Sequence, residues 1–163
     1  ITTIYEGTTG IQANDLIGRK IAREGGATLK AVVGIMQQVD AALSKQPGED
    51  FAAIHAGFSR GVQALADAAT YIATNFSQDI KGVHVGAVPF LRLMGIVSGG
   101  WQMARAALVA QAKIAAGDSD PYYRAKIATT RFYADHVLSQ APGLAETAIK
   151  GGAGALSVPE EHM

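Results

Sequence analysis

Hydrophobic side chains recur every three or four residues along most of the chain, which is the spacing of one face of an α-helix. The longest series predicts a helix with an apolar seam of about seven turns. Its members are Phe51, Ile54, Phe58, Val62, Leu65, Ala69, Ile72 and Phe76. No segment shows sustained alternation of apolar and polar residues, so we expect no β-sheet.

Two shorter helices are predicted before this seam. The first covers about residues 9–24 and ends at Gly25-Gly26, and the second follows it and stops before Pro47, because paired glycines and prolines end helices. The predicted inward faces are Ile11, Leu16, Ile17 and Ile21 in the first helix, and Leu29, Val32, Val33, Met36, Val39 and Leu43 in the second.

A fourth helix is predicted from about Val88, after a connection that contains Gly82 and Gly86. Its inward face consists of Phe90, Leu93, Met94, Val97, Trp101, Ala104 and Leu108. Gly99 and Gly100 fall inside this helix, where each glycine costs about 1 kcal/mol relative to alanine. The glycine pair therefore predicts a close crossing with another helix.

A fifth helix is predicted after Asp120, which suits the N-cap, and Pro121, which suits the first turn. Its inward face is Tyr123, Ile127, Thr130, Ala134, Val137 and Leu138. Pro142 is predicted to end this helix, with a short helix as far as Ile149 and a flexible tail over residues 151–163. The pattern as a whole predicts an all-α fold, an antiparallel up-and-down bundle of about five main helices.

Composition excludes several classes of function. The chain has 163 residues, 48% of them hydrophobic, with 14 basic and 14 acidic side chains and no cysteine. A chain without net charge has no long-range attraction for nucleic acid, and without thiols it forms no disulfide or thiolate metal site. Arg92 and Arg105 interrupt the longest apolar run, leaving no piece of the roughly 18 residues that a membrane span requires. We expect a soluble, cytoplasmic protein that binds neither nucleic acid nor metal.

The opening stretch suggests chemistry. Tyr5-Glu6-Gly7-Thr8 places a carboxylate beside flexible glycine backbone at the mouth of a helix, where a substrate can approach a general base. Spacing alone leaves a structural alternative. Thr3 and Glu6 also fit the S/T-x-x-E capping box, in which the glutamate only satisfies an amide at the helix end.

Together with Ile11-Gln12, this tetrapeptide resembles the catalytic segment of the acyl-CoA dehydrogenases, flavoenzymes that oxidise the Cα–Cβ bond of an acyl-CoA thioester. The resemblance implies that Glu6 is the catalytic base, that Gly7 lies in the substrate-binding site and that Thr8 contacts FAD. It therefore favours the catalytic interpretation of Glu6 over the capping box.

In this family the glutamate removes the α-proton of the thioester while the β-hydride passes to the flavin, and the glutamate N–H helps to polarise the thioester carbonyl. A carboxylate with an ordinary pKa of about 4.3 is a weak base for a carbon acid, so burial against substrate and flavin is expected to raise the pKa of Glu6. Gly10 stands where some relatives have a flavin-contacting glutamine. The resemblance also implies an acyl-CoA substrate, an electron-transfer acceptor and a homo-oligomer.

The rest of the chain resembles a helical extension found in the branch of the family that includes 3-methylmercaptopropionyl-CoA dehydrogenase-like enzymes. The matching pieces are Phe90-Leu91-Arg92-Leu93-Met94-Gly95, Gly99-Gly100-Trp101, Lys126-Ile127 and Arg131-Phe132-Tyr133-Ala134. We accordingly assign residues 1–26 to the end of the dehydrogenase domain, 27–150 to the extension and 151–163 to a tail.

The family's flavin-binding domains are not recognised in this sequence. We therefore interpret the chain as the C-terminal portion of a longer enzyme, inactive and without FAD when isolated. The alternative is a helical packing or oligomerisation module with no catalysis of its own.

The remaining candidates have structural explanations. Trp101 is expected in the core, and Gly82-x-x-x-Gly86 lacks the lysine and the preceding strand of a phosphate-binding loop. The histidines share no metal-ligand spacing and are expected to be structural or solvated. They are His55, His84, His136 and His162.

Overall fold

The computed structural model describes residues 8–162, and all regular secondary structure in that range is helical. The seven α-helices are α1 Thr9–Asp15, α2 Ala27–Leu43, α3 Glu49–Asn75, α4 Ile80–Val85, α5 Ala87–Ala115, α6 Pro121–His136 and α7 Ala141–Ala155. A π-helix, Leu16–Ile21, continues directly from α1, and short 3-10 turns lie at Ala22–Glu24, Leu138–Gln140 and Glu160–His162. The predicted all-α fold is confirmed, whereas the antiparallel up-and-down order remains a prediction.

Helix α3 lies at the centre of the bundle. It packs against α2, α5, α6 and α7, and its seam residues Phe58 and Leu65 are fully buried. Ala64 and Ala68 are also buried, so α3 is covered on more than the one face that a simple amphipathic pattern requires. The predicted seam is confirmed, with neighbours on several sides.

Two side-chain hydroxyls of α6, one buried and one half-buried, bond to backbone carbonyls of α5. The Thr130 hydroxyl, the buried polar side chain of this region, lies 3.2 Å from the Met103 carbonyl of α5 and 2.9 Å from the Lys126 carbonyl of its own helix. The Tyr133 hydroxyl donates to the Ile96 carbonyl at 3.0 Å, and burial raises the pKa of Tyr133. Both hydroxyls are satisfied by backbone carbonyls, which removes the cost of burying them.

Gly99 and Gly100 confirm the predicted close crossing. A Cβ on Gly99 would overlap the Tyr133 hydroxyl, and a Cβ on Gly100 would lie 2.8 Å from Leu138 Cδ2. Helix α6 and the turn after it therefore occupy the space that alanine side chains would need. This close approach explains why glycine stands in the middle of a helix despite its cost.

The connection predicted before the fourth helix was wrong, since residues in it form helix α4. The Asp79 side chain caps this helix by accepting a hydrogen bond from the Gly82 N–H at 2.9 Å. Six residues are too few to show helical periodicity, while two glycines in the same stretch indicated a loop.

The C-terminal helices also differ from the prediction. Helix α6 ends at His136, before Pro142, and α7 runs 15 residues through the glycines to Ala155. Pro142 lies in the first turn of α7, where its missing N–H has no helical partner to lose. The glycines continue the helix because Gly152 packs on the backbone of α4: its Cβ would lie 2.9 Å from the Gly82 Cα.

The junction of α4 and α5 provides a test of this backbone packing. A Cβ on Gly86 would overlap the Ala148 carbonyl oxygen and lie 3.0 Å from the Ala148 Cα. We predict that Gly86→Ala lowers the free energy of unfolding by about 1–3 kcal/mol, because overpacking displaces α7.

Gly95→Ala is the matched control, because Gly95 lies inside helix α5, whose N-cap is Gly86, and a Cβ on Gly95 meets nothing within 4 Å. This change should stabilise by about 0.5–1 kcal/mol through helix propensity alone. Urea unfolding of both variants measures the difference, and equal effects would contradict the close approach of α7.

Candidate functional site

The predicted catalytic base, Glu6, and the substrate-binding Gly7 lie outside the described residues. Thr8, the predicted flavin contact, is the first residue that the structure describes. It is exposed and stands at the N-cap of α1. Helix α1 is the first α-helix that the structure describes after the motif.

That helix is anchored in the core of the bundle. Ala13 and Ile17 are 0% exposed and Ile21 is 2% exposed, and all three belong to the same hydrophobic cluster as the later helices. Helix α1 packs against α5, and the π-helix packs against α2, α3 and α5. The segment after the motif is thus an integral part of the bundle.

The predicted inward face of this segment was partly wrong. Ile11 is 68% exposed, whereas Ala13, which was not predicted, is buried. The π-helix has wider turns, with i→i+5 hydrogen bonds. Residues spaced by four positions therefore face the core here, namely Ala13, Ile17 and Ile21. Ile11 lies two residues, or about 200°, away from Ala13 in an α-helix and therefore faces outward.

Gly18, inside the π-helix, lies against an aromatic ring from the end of α3. A Cβ on Gly18 would be 3.5 Å from Cζ and 3.8 Å from Cε2 of Phe76. Phe76 follows the last residue of α3, and its own N–H donates to the Ile72 carbonyl at 3.0 Å. A methyl group on Gly18 would therefore fit in ordinary contact with the ring at the far end of the central helix.

Two consecutive glycines join this segment to α2. Gly25 and Gly26 have φ values of +59° and +79°, a left-handed conformation that glycine adopts without the strain other residues incur. The Gly26 N–H donates to the Ile21 carbonyl at 2.9 Å. The predicted helix end at this pair is confirmed.

A cleft of about 370 Å³ lies between α5 and α6, lined by the cationic side chains of Arg105 and Lys126 and by two tyrosines. The Lys126 ammonium lies 5.4 Å from the centre of the Tyr122 ring, within cation–π range. Partial burial and the neighbouring Asp118 carboxylate raise the pKa of the Tyr123 phenol, so this phenol is a weaker acid than a free tyrosine.

A larger groove of about 550 Å³ runs between α2 and α3. Its lining consists of Gly25, Gly26, Lys30, Val33, Gly34, Gln37, Ala66, Ala69, Thr70, Ala73 and Thr74. No carboxylate is among these lining residues.

A third cleft, of about 380 Å³, lies between α3 and α7 and has the carboxylates of Asp67 and Glu146 on its wall. Both carboxylates already have partners: Gln63 donates to Asp67 at 2.7 Å, and Lys150 pairs with Glu146 at 2.9 Å. These clefts do not include Thr8.

The histidines have ordinary neighbours. The His55 Nε2 lies 3.4 Å from the Asp40 Oδ1 on α2, and the His84 Nδ1 lies 2.7 Å from the Ile80 carbonyl. His136 stacks on Phe132 with ring centres 4.3 Å apart. Within residues 8–162, no three histidine or acidic side chains converge in a metal-binding arrangement.

None of the helices in residues 8–162 is long and apolar enough to cross a bilayer.

Comparisons with known proteins agree with the resemblance in the sequence. A family described as acetyl-CoA dehydrogenase C-terminal like matches residues 29–159. The 3-methylmercaptopropionyl-CoA dehydrogenase of Ruegeria pomeroyi is 38% identical over 144 residues, 85% of this chain and 23% of the relative. The broad-specificity linear acyl-CoA dehydrogenase FadE5 of Mycobacterium tuberculosis is 35% identical over 145 residues, 85% of this chain and 24% of the relative.

The chain belongs to the acetyl-CoA dehydrogenase C-terminal-like family, which is a C-terminal domain of acyl-CoA dehydrogenases. It spans about a quarter of the length of the curated relatives it matches, 23% and 24% respectively. The family match begins at residue 29 and does not include the opening motif. Membership therefore rests on the extension, and the role of Glu6 rests on the motif.

The proximity of Gly18 to the Phe76 ring was not predicted from the sequence. Gly18 interrupts an otherwise regular helical pattern, and a conspicuous glycine of this kind signals close packing. The aromatic partner, 58 residues later in the chain, had no local signal, since Phe76 was already accounted for as the end of the α3 seam.

Proposed function

We propose that this chain is the C-terminal region of an FAD-dependent acyl-CoA dehydrogenase in which Glu6 removes the α-proton of an acyl-CoA thioester. The observation that carries the proposal is the motif Tyr5-Glu6-Gly7-Thr8, which directly precedes a helix built into the core of a domain of this family. Both relatives bear the names of acyl-CoA dehydrogenases, which supports the same reaction class.

The chemistry assigned to Glu6 is proton abstraction. Its carboxylate accepts the proton as the Cα–H bond breaks, and the electron pair of that bond becomes the second bond between Cα and Cβ while a hydride leaves Cβ. FAD, when bound to the complete enzyme, supplies the acceptor for that hydride. The N–H of Glu6 donates to the thioester carbonyl and stabilises the negative charge that develops there.

The described residues do not by themselves fit a flavin. Thr8, the proposed flavin contact, is exposed at the end of α1, and the three clefts are lined by other residues. An isoalloxazine ring requires an enclosing surface. We therefore assign FAD, the acyl-CoA pocket and the electron-transfer acceptor to the complete enzyme, with Thr8 at the edge of the flavin site.

Glu6→Gln in the complete enzyme tests the catalytic proposal. Glutamine keeps the shape of the side chain but cannot accept the α-proton, so the rate of flavin reduction by acyl-CoA should fall by at least about 10²–10⁴-fold, with FAD still bound. Stopped-flow absorbance of the flavin measures this rate.

Glu146→Gln is the control, because Glu146 is an exposed carboxylate of α7 whose surface ion pair with Lys150 contributes little. It should reduce flavin at the normal rate. Normal turnover in Glu6→Gln would remove Glu6 from the role of base and leave the capping box as its explanation.

The isolated chain should be colourless after purification in the presence of FAD, because its described surface does not enclose a flavin. Absorbance near the flavin bands, before and after dialysis, measures retention. A yellow protein that bleaches on addition of an acyl-CoA would contradict this expectation and show that the chain is competent alone.

A second function, favoured by the shared core, is that the extension is a packing or oligomerisation module of the enzyme. Residues 9–26 lie on one side of the proposed domain boundary and residues 27–150 on the other, yet Ile17 and Ile21 are buried among the later helices. The extension therefore completes the hydrophobic surroundings of the segment that follows the motif. We propose that the homo-oligomeric enzyme uses it to stabilise that segment.

Removal of the chain from Thr28 onward in the complete enzyme should destabilise it, because Ala13, Ile17 and Ile21 would be uncovered. Exposing even two such isoleucines costs about 3–6 kcal/mol. Thermal unfolding and size-exclusion chromatography measure stability and assembly. A truncated enzyme with unchanged melting temperature and oligomeric state would contradict the packing function.

A further inference from the structure

We infer that the outward side of helix α6 is a self-association surface, on which a second copy of this chain packs its own α6 antiparallel about a two-fold axis. The inference rests on the oligomerisation function proposed for the extension and deepens it, because it names the surface and the partner. This surface, the α6 face, consists of the exposed residues Ala125, Ala128, Thr129, Phe132 and His136.

The α6 face contains an aromatic ring that has no place in the core. Its neighbours in sequence all have structural roles, since Ala134 is buried, the Tyr133 hydroxyl bonds to α5 and Arg131 binds carboxylates. Phe132, by contrast, is 61% exposed. Its ring stacks on His136, with ring centres 4.3 Å apart. The ring is therefore held in a defined position while most of its surface is in contact with solvent.

The centre of the α6 face carries no charged side chain. Ala125 and Phe132 are seven residues apart, about two turns, so they lie almost on one line along the helix. Ala128 and Thr129 lie between them, and the Thr129 hydroxyl already donates to the Ala125 carbonyl at 2.7 Å. A surface helix normally turns charged residues to solvent on this side. Small side chains beside one exposed ring instead allow a second helix to approach closely.

The shape of the α6 face is complementary to itself. In an antiparallel pair with the two-fold axis between Ala128 and Thr129, each residue faces the one at the same distance on the other side of the axis. Phe132 of each copy then packs over Ala125 of the other. Because a two-fold interface uses the same surface on both copies, this contact between a large and a small side chain occurs twice.

The charges at one edge of the α6 face are complementary in the same register. Arg131 binds two carboxylates, Asp50 at 3.2 Å and Asp135 at 2.7 Å, so this cluster has one negative charge in excess. Arg124 is exposed and, within the described residues, has no ion-pair partner. It lies eleven residues before Asp135 on the same edge, about 16 Å away along the helix, which is too far to pair within one chain.

The antiparallel register brings these opposite charges together between copies. Arg124 of one copy lies beside Asp135 of the other, and the two-fold axis repeats this contact at the far end of the helix pair. A second copy therefore accounts for the exposed ring, the small residues and the unpaired arginine with a single arrangement. The 16 residues of α6 span about 24 Å, which is a short interface, so we expect a weak, concentration-dependent dimer.

Sedimentation velocity of this chain from about 1 μM to about 1 mM, a range that includes weak dimers, measures the association. We expect a monomer–dimer equilibrium without larger species, because a two-fold interface is closed. Phe132→Ala should raise the Kd of the dimer by about tenfold or more, since it removes the ring at the centre of the face. Ile35→Ala is the matched control: Ile35 is 47% exposed on α2, and its loss should change the Kd by less than about twofold.

A charge exchange tests the register. Arg124→Asp alone brings two carboxylates together at each end of the pair, and Asp135→Arg alone brings guanidinium groups together, so each variant should stay monomeric where the unsubstituted chain is half dimeric. An equimolar mixture of the two variants restores both opposite-charge contacts and should dimerise again. Arg60→Asp, a charge reversal at an exposed position of α3, should leave the dimer intact. Circular dichroism confirms that each variant is folded.

Three results would overturn the inference. They are a chain that stays monomeric up to about 1 mM, a dimer that Phe132→Ala and Ile35→Ala weaken equally, and folded charge variants whose mixture does not recover the dimer. A monomeric chain would leave the α6 face to another region of the longer enzyme. Truncation from Thr28 onward tests the packing function separately. If truncation destabilises the complete enzyme while the charge exchange fails, the packing function stands and only the α6 face is wrong.

Discussion

The structure depends on the burial of helix α3 by its neighbours on several sides. Helices α2, α5, α6 and α7 all pack against it. Its seam residues, among them the fully buried Phe58 and Leu65, form the part of the hydrophobic core that these helices share. Since the core is close-packed, the position of each surrounding helix is defined relative to this one. The segment that follows the motif is no exception, because it too lies against the end of α3.

Close backbone approach is the second constraint, and it determines where the C-terminal helix lies. Gly152 packs on the backbone of Gly82, and Gly86 packs on that of Ala148, so α7 lies nearer to the α4–α5 junction than side chains would permit. Glycine loses conformational entropy in a helix. Dispersion attraction between two backbones that meet directly offsets that loss.

The helical pattern predicted the fold class, the α3 seam and the glycine crossing of α5 and α6 correctly, because each depends on periodicity or on a conspicuous residue within one helix. The pattern failed where the outcome depended on a partner elsewhere in the chain. Helix α4 is stabilised by the Asp79 cap and by α7, neither of which alters its own six residues. The glycines of α7 were likewise predicted to form a tail, because the sequence does not reveal that Gly152 packs on the backbone of Gly82.

In the candidate site, too, one part could be predicted from the sequence and another could not. The roles of Glu6, Gly7 and Thr8 are implied by the resemblance of the motif to the acyl-CoA dehydrogenases, and the family match starting at residue 29 shows independently which family the following helices belong to. Spacing correctly predicted the burial of Ile17 and Ile21 but placed Ile11 inward and missed Ala13, because the π-helix alters the helical period where the two parts meet. A change of period within one helix leaves no trace in a pattern that assumes a single period.

In the sequence the motif directly precedes α1, a helix anchored in the core, and this order has a mechanical consequence for the proposed catalysis. A base on a flexible loop incurs an entropic cost each time it is ordered for reaction, about 1–2 kcal/mol for each residue fixed. In the proposed function, Glu6 stands three residues before a helix that Ala13, Ile17 and Ile21 anchor in the core, so the chain on that side of the base is already ordered from Thr9 onward. Under the proposed function, the extension contributes to the reaction without touching substrate, because its core holds α1 in place.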